Sequence, residues 1–377
     1  MATPSGDASA PLLPDYSGAW VGGIVPGLLG GAAPSWFPSA VRGARAVVLL
    51  VLDGLGWETL AGAARLMPQL SALEGRSITT VVPSTTAAAL TSITTGVPPS
   101  VHGVAGYRIR VGGRALNVLR WQSRGDDAVP SPPDVQPVPP FLGRRVPVVT
   151  KAEFRKTGFT EAHLRGGELT GWKTVSALLE LVAGHVASGA GFVYAYYDGV
   201  DKVAHEYGLR SAVHATELVL TDRLVGDLLD RLPPDVALIV TADHGQVDVP
   251  DPDAAAVPLD DVGRMVSAYS GEGRFRGLHA RSGANGALLE ACRAAYGDRA
   301  WVRSREQVFD EAWLGPGATL AARGRIGDVL LAARAPVVFA DPGLPKEMRM
   351  RSQHGSLTSA EVLVPLLAGR GRGGGGP

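Results

Sequence analysis

Residues 44–53 read ARAVVLLVLD, with seven apolar residues in an unbroken run ending on an aspartate. A strand with one wet face alternates apolar and polar side chains; this run does not, so both its faces must be covered. That requirement points to a parallel sheet sandwiched between helices. The pattern recurs in GFVYAYYDGVD (191–201) and DVALIVTADHG (235–245), each an apolar run closing on acids. Gly54 and Gly56 break the first run, and helical spacing follows over 57–73. A second helix is expected over 85–96, closed by Gly96 with Pro98 and Pro99 beyond it, and a third, amphipathic, over 213–232. SITTVVP (77–83) and APVVFA (335–340) read as short strands, while Thr358 and Glu361 have capping-box spacing at the head of TSAEVLVPLL (358–367). The expected class is α/β, a mostly parallel central sheet with helices on both faces.

Texture divides the chain further. Residues 1–43 form an N-terminal extension, 44–368 a single catalytic domain, and the Gly-rich 369–377 a disordered tail. Two stretches, about 108–167 and 250–334, look like insertions capping the core; the first is rich in proline and basic residues, the second less regular. With 36 basic and 36 acidic side chains the formal charge is zero, so the sequence carries no nucleic-acid-binding signal. The lone cysteine, Cys292, excludes an internal disulfide. No signal peptide or membrane span is seen, and a cytoplasmic location is expected. The sequence carries no signal of oligomeric state.

In doubly wound sheets ligands gather at the carboxyl ends of the strands. Asp53, Asp198, Asp201, Asp243 and His244 all fall there. Each is explicable alone: Asp53-Gly54 is a common turn pair, and Asp201 with His205 could be a helix-start acid near a surface histidine. On a helix, however, Asp201 and His205 (i, i+4) share a face and can grip one metal. His354 sits in the loop RSQHG. Carboxylates and imidazoles without thiolate suit two Zn²⁺ ions, or Mn²⁺ or another divalent ion as a substitute.

The order of these motifs resembles the alkaline phosphatase superfamily, and within it the nucleotide pyrophosphatase/phosphodiesterase branch. Asp-Gly after the first strand, Pro83-Ser84-Thr85-Thr86 with Thr95-Gly96 nine residues on, then D-x-x-x-H, D-H-G and a late H-G carry the likeness, over about 44–107, 191–248 and 350–368. The resemblance implies an alkaline-phosphatase-like fold. It also implies that Asp53, Asp243 and His244 hold one ion together with the oxygen of a nucleophilic Thr86, and that Asp201, His205 and His354 hold the other. The implied reaction is hydrolysis of a phosphodiester or nucleotide pyrophosphate through a phospho-threonine, on a small-molecule phosphate ester or nucleotide. Alternatives on the same site are a phosphomonoesterase or phosphonate hydrolase, or a metal-binding relative without catalysis. Tyr107 stands where the branch commonly has an asparagine that contacts the phosphoryl group, and is expected to bind substrate. Ala87, Ala88 and Ala89 replace a more polar stretch after the nucleophile. Asp198 is expected to support a ligand histidine, and His102 to be structural.

Overall fold

The structure, a computed structural model, describes residues 10–31, 33–123, 129–249, 251–341 and 349–374. In chain order the strands of its two larger sheets are β1 (Ala46–Leu52), β2 (Glu74–Thr79), β3 (Pro147–Lys151), β4 (Glu168–Trp172), β5 (Phe192–Tyr197), β6 (Val236–Thr241), β7 (Val266–Glu272), β8 (Phe275–Ala280), β9 (Ala300–Ser304), β10 (Val329–Ala333) and β11 (Leu363–Arg370). The central sheet has the order β2–β11–β6–β1–β5–β3–β4. The pairs β1–β5, β1–β6, β3–β5 and β3–β4 are parallel. Only β11 runs against its neighbours, pairing antiparallel with both β2 and β6. Every residue of β5 and β6 is buried, as is nearly all of β1, which is what their unbroken apolar runs require.

Helices that matter for the site are α1 (Thr86–Thr95), α2 (Gly158–Leu164), α3 (Val175–Ala187), α4 (Gly199–Tyr207) and α5 (Ala212–Arg231). All ten residues of α1 are buried. Its small side chains permit close packing, and three of its hydroxyls are satisfied within the helix: Thr91, Thr94 and Thr95 donate to the carbonyls of Ala87, Leu90 and Thr91 at 2.7, 3.0 and 2.6 Å. Gly96 ends the helix at φ 77°, where a Cβ would lie 2.4 Å from Pro26.

The structure departs from the sequence reading in several places. The stretch 108–167, expected to be an insertion, supplies β3 to the central sheet, and β4 follows at once. VPVVT is short and framed by arginine and proline, so its strand character comes from pairing with β5 and not from a long apolar run. The expected helix over 57–73 is two pieces, Trp57–Gly62 and Pro68–Ser71, because Pro68 can start a helix but not continue one. The capping-box segment yields one turn, Ser359–Val362, before the chain enters β11. Pro365 is tolerated in β11 because pairing with β6 begins only at Leu366. β11 also continues to Arg370, past the expected domain end at 368; residues 375–377 of the tail lie outside the described residues. Residues 10–43 pack Trp20, Val21, Ile24 and Phe37 into the main core. The stretch 250–334 contains the second sheet, β7–β8–β10–β9, which has its own hydrophobic core around Leu278, Leu288, Cys292 and Leu331. No helix among the described residues is long and apolar enough to cross a membrane.

Candidate active site

Asp53 follows β1, Asp243 and His244 follow β6, and both strands end side by side at the carboxyl edge of the sheet. These three side chains converge in a buried group, with one ligand-type atom from each within 4.8 Å of the others. Asp201 and His205, one turn apart on α4, meet His354 from its loop in a second, part-exposed group of the same compactness. The two are joined: the Asp201 N–H donates to the Asp53 carbonyl at 3.1 Å, and the His244 and His354 rings stack at 3.6 Å, 18° from parallel. Gly54, at φ 75°, makes the close approach; a Cβ there would sit 2.4 Å from Gln246 Nε2 and 2.9 Å from the Asp201 Cα.

The hydrogen bonds around each group fix which atoms face inward. Asp53 Oδ2 accepts from the Tyr196 hydroxyl, and Asp243 Oδ1 accepts from the N–H groups of Gly54 (3.1 Å) and His244 (3.0 Å). The remaining oxygens, Asp53 Oδ1 and Asp243 Oδ2, are buried without a hydrogen-bond donor, and so is Asp201 Oδ1. The imidazoles are oriented in the same sense. Nδ1 of His244, His205 and His354 lies against the carbonyls of Gly245 (3.1 Å), Ser352 (2.7 Å) and Ser84 (2.9 Å). A carbonyl only accepts, so each neutral ring carries its proton on Nδ1 and turns the Nε2 lone pair inward. His244 Nε2 is 3.4 Å from both orphaned oxygens of its group, and His205 Nε2 is 3.2 Å from Asp201 Oδ1. Each group is thus a set of convergent acceptors with no donor. Such an arrangement repels itself unless a cation sits at its centre, so the residues fit a divalent ion in each group. The carbonyl partners of the three rings are the outer support that metal-binding histidines use.

Electrostatics agrees. Burial first, then the neighbouring Asp243 and Asp201 charges, pushes the Asp53 carboxyl well above the usual carboxylate range. Burial likewise raises Asp243. Burial and the facing His244 and His205 hold His354 well below an ordinary histidine.

Thr86 opens α1, with Thr85 extended before it as the N-cap. Its Oγ1 lies 3.1 Å from His244 Nε2, beside the buried group, and the first-turn N–H groups of α1 lack intrahelical acceptors. Asp53, Thr86, Asp201 and His205 line a cavity of about 810 Å³ whose wall also includes Phe154, Phe159, His163, Tyr194 and Tyr196. Tyr107, the expected phosphoryl contact, is not among the lining residues; its N–H donates to Glu272 at 3.1 Å. Asp198 supports no ligand histidine: it takes a 2.6 Å ion pair from Lys151, whose ammonium also lies over the Trp172 ring at 5.6 Å. His102 is buried, paired with Ser92 at 2.8 Å, as a structural residue would be. His163 stacks on Phe159 at 4.1 Å in the cavity wall, and burial holds it down to about 4. Tyr196 was not foreseen, because an aromatic in an apolar strand reads as core.

A family model for type I phosphodiesterase/nucleotide pyrophosphatase matches residues 47–357. Among curated proteins none matches the chain. Solved structures share its fold at low identity. Murine ectonucleotide pyrophosphatase/phosphodiesterase 5, an inactive variant in complex with AMP, superimposes with a TM-score of 0.66 at 12% identity, covering 86% of this chain and 87% of that one. Phosphonoacetate hydrolase from Sinorhizobium meliloti 1021, in complex with phosphonoformate, gives 0.65 at 17% identity over 87% and 91%. The human counterpart of the murine protein gives 0.63 at 15% over 86% and 87%.

Proposed function

The chain belongs to the type I phosphodiesterase/nucleotide pyrophosphatase family, hydrolases of phosphate ester and phosphoanhydride bonds, and on that premise we propose that it cleaves a phosphodiester or nucleotide pyrophosphate through a covalent phospho-Thr86. The observation that carries this reading is the pair of donor-free acceptor groups flanking one buried hydroxyl. Asp53, Asp243 and His244, with the Thr86 oxygen, would hold one divalent ion, and Asp201, His205 and His354 a second; zinc suits the donor set. When bound, such ions supply Lewis acidity at the attacking and leaving oxygens.

The protein's own groups do the rest. Helix α1 and the His244 contact hold the Thr86 hydroxyl at the cavity edge, where its oxygen would attack phosphorus in line with the departing ester oxygen. The first-turn N–H groups of α1 offer donors to the phosphoryl oxygens, and the helix dipole favours the developing negative charge. Breaking the ester bond leaves the phosphoryl group on Thr86, and water then frees it. The buried wall of the cavity holds the organic part of the substrate away from bulk water.

A metal-loaded substrate panel tests the proposal: a nitrophenyl phosphate, its diester, a dinucleotide and a phosphonate, each with the parent and Thr86→Ala. Turnover of the diester or pyrophosphate by the parent alone, with ion content unchanged in the variant, is expected. Full activity in Thr86→Ala contradicts the nucleophile, and preference for the monoester or the phosphonate transfers the reading to those substrates.

A further inference from the structure

The second sheet reaches the His354 loop through its β7–β8 hairpin tip and through β10, whose Ala333 carbonyl accepts the Ser356 hydroxyl at 2.6 Å. The β7–β8 hairpin tip, Glu272-Gly273-Arg274, leaves its own layer and enters the main domain. There the fully buried Arg274 grips Glu361 with two hydrogen bonds, Nε to Oε1 at 2.7 Å and Nη2 to Oε2 at 2.8 Å. Arg274 also donates to the carbonyls of Ala335 (2.8 Å) and Val337 (3.1 Å), so its guanidinium is held independently of Glu361.

Glu361, also fully buried, touches the loops on both sides of the site. Its Oε1 accepts the Ser356 N–H at 2.9 Å, two residues after His354, and its Oε2 accepts the Thr358 hydroxyl at 2.6 Å. Its backbone carbonyl accepts the Gly245 N–H at 2.9 Å, directly after His244. The fit around Gly245 is tight: a Cβ there would stand 2.0 Å from the Ala360 carbonyl oxygen. Glu272, from the same hairpin tip, presses on Gly355, where a Cβ would meet its Cγ at 2.8 Å. Ser84 closes the frame. Its N–H donates to the Gly355 carbonyl (3.2 Å), its hydroxyl to the Ser356 carbonyl (2.7 Å), and its own carbonyl receives His354 Nδ1.

We propose that the Arg274–Glu361 pair is a positioning device by which the second sheet sets the placement of His354, and so the ion affinity of the Asp201–His205–His354 group. This rests on the two-ion reading above. A buried charge pair is weak evidence for a stabilising role, since apolar residues of like volume are often as stabilising. What apolar residues cannot supply is a carboxylate that fixes Ser356 and Thr358 while its backbone holds Gly245. Outer-sphere partners of this kind typically alter metal affinity by about 10–100-fold. The effect is selective: the Asp53–Asp243–His244 group hangs on β1 and β6 and draws from Glu361 only the Gly245 contact, which is made by backbone and survives side-chain substitution.

The test is calorimetric titration of ion-stripped full-length protein with Zn²⁺, alongside thermal melting, for the parent, Glu361→Gln, the double variant Arg274→Met/Glu361→Gln, and His205→Ala as the reference for a lost group. We expect the parent to bind two ions and His205→Ala to lose one. Both Glu361 variants should keep the first ion and bind the second about 10–100-fold more weakly. The double variant keeps the test valid if Glu361→Gln folds poorly, because it leaves no buried arginine without its counter-charge. Two ions bound with parental affinity, or both weakened equally alongside a lowered melting temperature, would show the pair to be only structural. A parent that binds no ion at the reference group overturns the two-ion reading and this inference with it.

Discussion

The two acceptor groups are chemically alike and built differently. Asp53, Asp243 and His244 stand just beyond the ends of two adjacent parallel strands at the centre of the sheet, and all three are buried. Asp201 and His205 stand on one turn of α4, His354 on a loop, and all three are partly exposed. The first group inherits its geometry from the hydrogen-bonded register of the core. The second must be assembled from elements that meet only at the site, and it needs Ser84, Ser352 and Glu361 to hold it. Local stability follows the same divide, since loops open at lower free energy than central strands. One group is thus a fixed anchor beside Thr86, and the other is adjustable.

The largest effect expected from this contrast is at Thr86, on the anchored side. Thr86→Ala should lower kcat by at least about 10³-fold, since a nucleophile has no substitute. Ion content, measured by elemental analysis, should stay at the parental value. Next come the carboxylates. Asp53→Asn should weaken its ion by more than about 100-fold and Asp201→Asn by about 10-fold, because water can replace a lost ligand only in the exposed group. Equal losses in the two titrations would break the comparison.

Chelation gives a kinetic form of the same contrast. A chelator should strip the Asp201–His205–His354 group first, leaving a one-ion protein before the ion-free one. An ion present at about 100 times its Kd adds about 2.7 kcal/mol of stability, so each loss should lower the melting temperature by a few degrees. Tyr196→Phe is a smaller probe. Removing the phenol donor to Asp53 should weaken the buried ion about tenfold and leave the other unchanged.

The smallest effect separates ligand histidines from packed ones. Burial holds His163 down to about 4 and His102 down to about 3, against 6.5 for a free imidazole. Their folded pKa values are depressed, so the unfolded chain takes up protons first as pH falls. The stability they contribute is whole above about pH 6.5 and is lost as pH falls toward 4. In His163→Phe the melting temperature should therefore drop less between pH 7 and 5 than in the parent, with ion binding untouched.

The same contrast decides what could be read from the sequence. Asp53, Asp243 and His244 were legible because a buried strand announces its own end, and polar residues placed just beyond that end need a reason to be there. Asp201 and His205 were legible as a helical i, i+4 pair. His354 comes after no apolar run and was reached only through the order of motifs in a family. The supports were hidden by their ordinary appearance: Tyr196 looks like core, and Glu361 looks like a capping residue, although its carboxylate takes the Thr358 hydroxyl and no backbone N–H of the helix start. Tyr107 was reached through motif order alone, which fixes a residue's place in the chain and not where its side chain goes; it does not line the cavity. Strands β3 and β4 were missed because a five-residue strand acquires its identity from its sheet partners more than from its own short pattern.

The most direct measurement of the central claim is the stereochemical course at phosphorus, followed with an isotopically chiral phosphodiester. Two successive in-line displacements, the first by Thr86 and the second by water, predict net retention of configuration. Net inversion would mean that water attacks the ester directly, and would contradict a covalent role for Thr86.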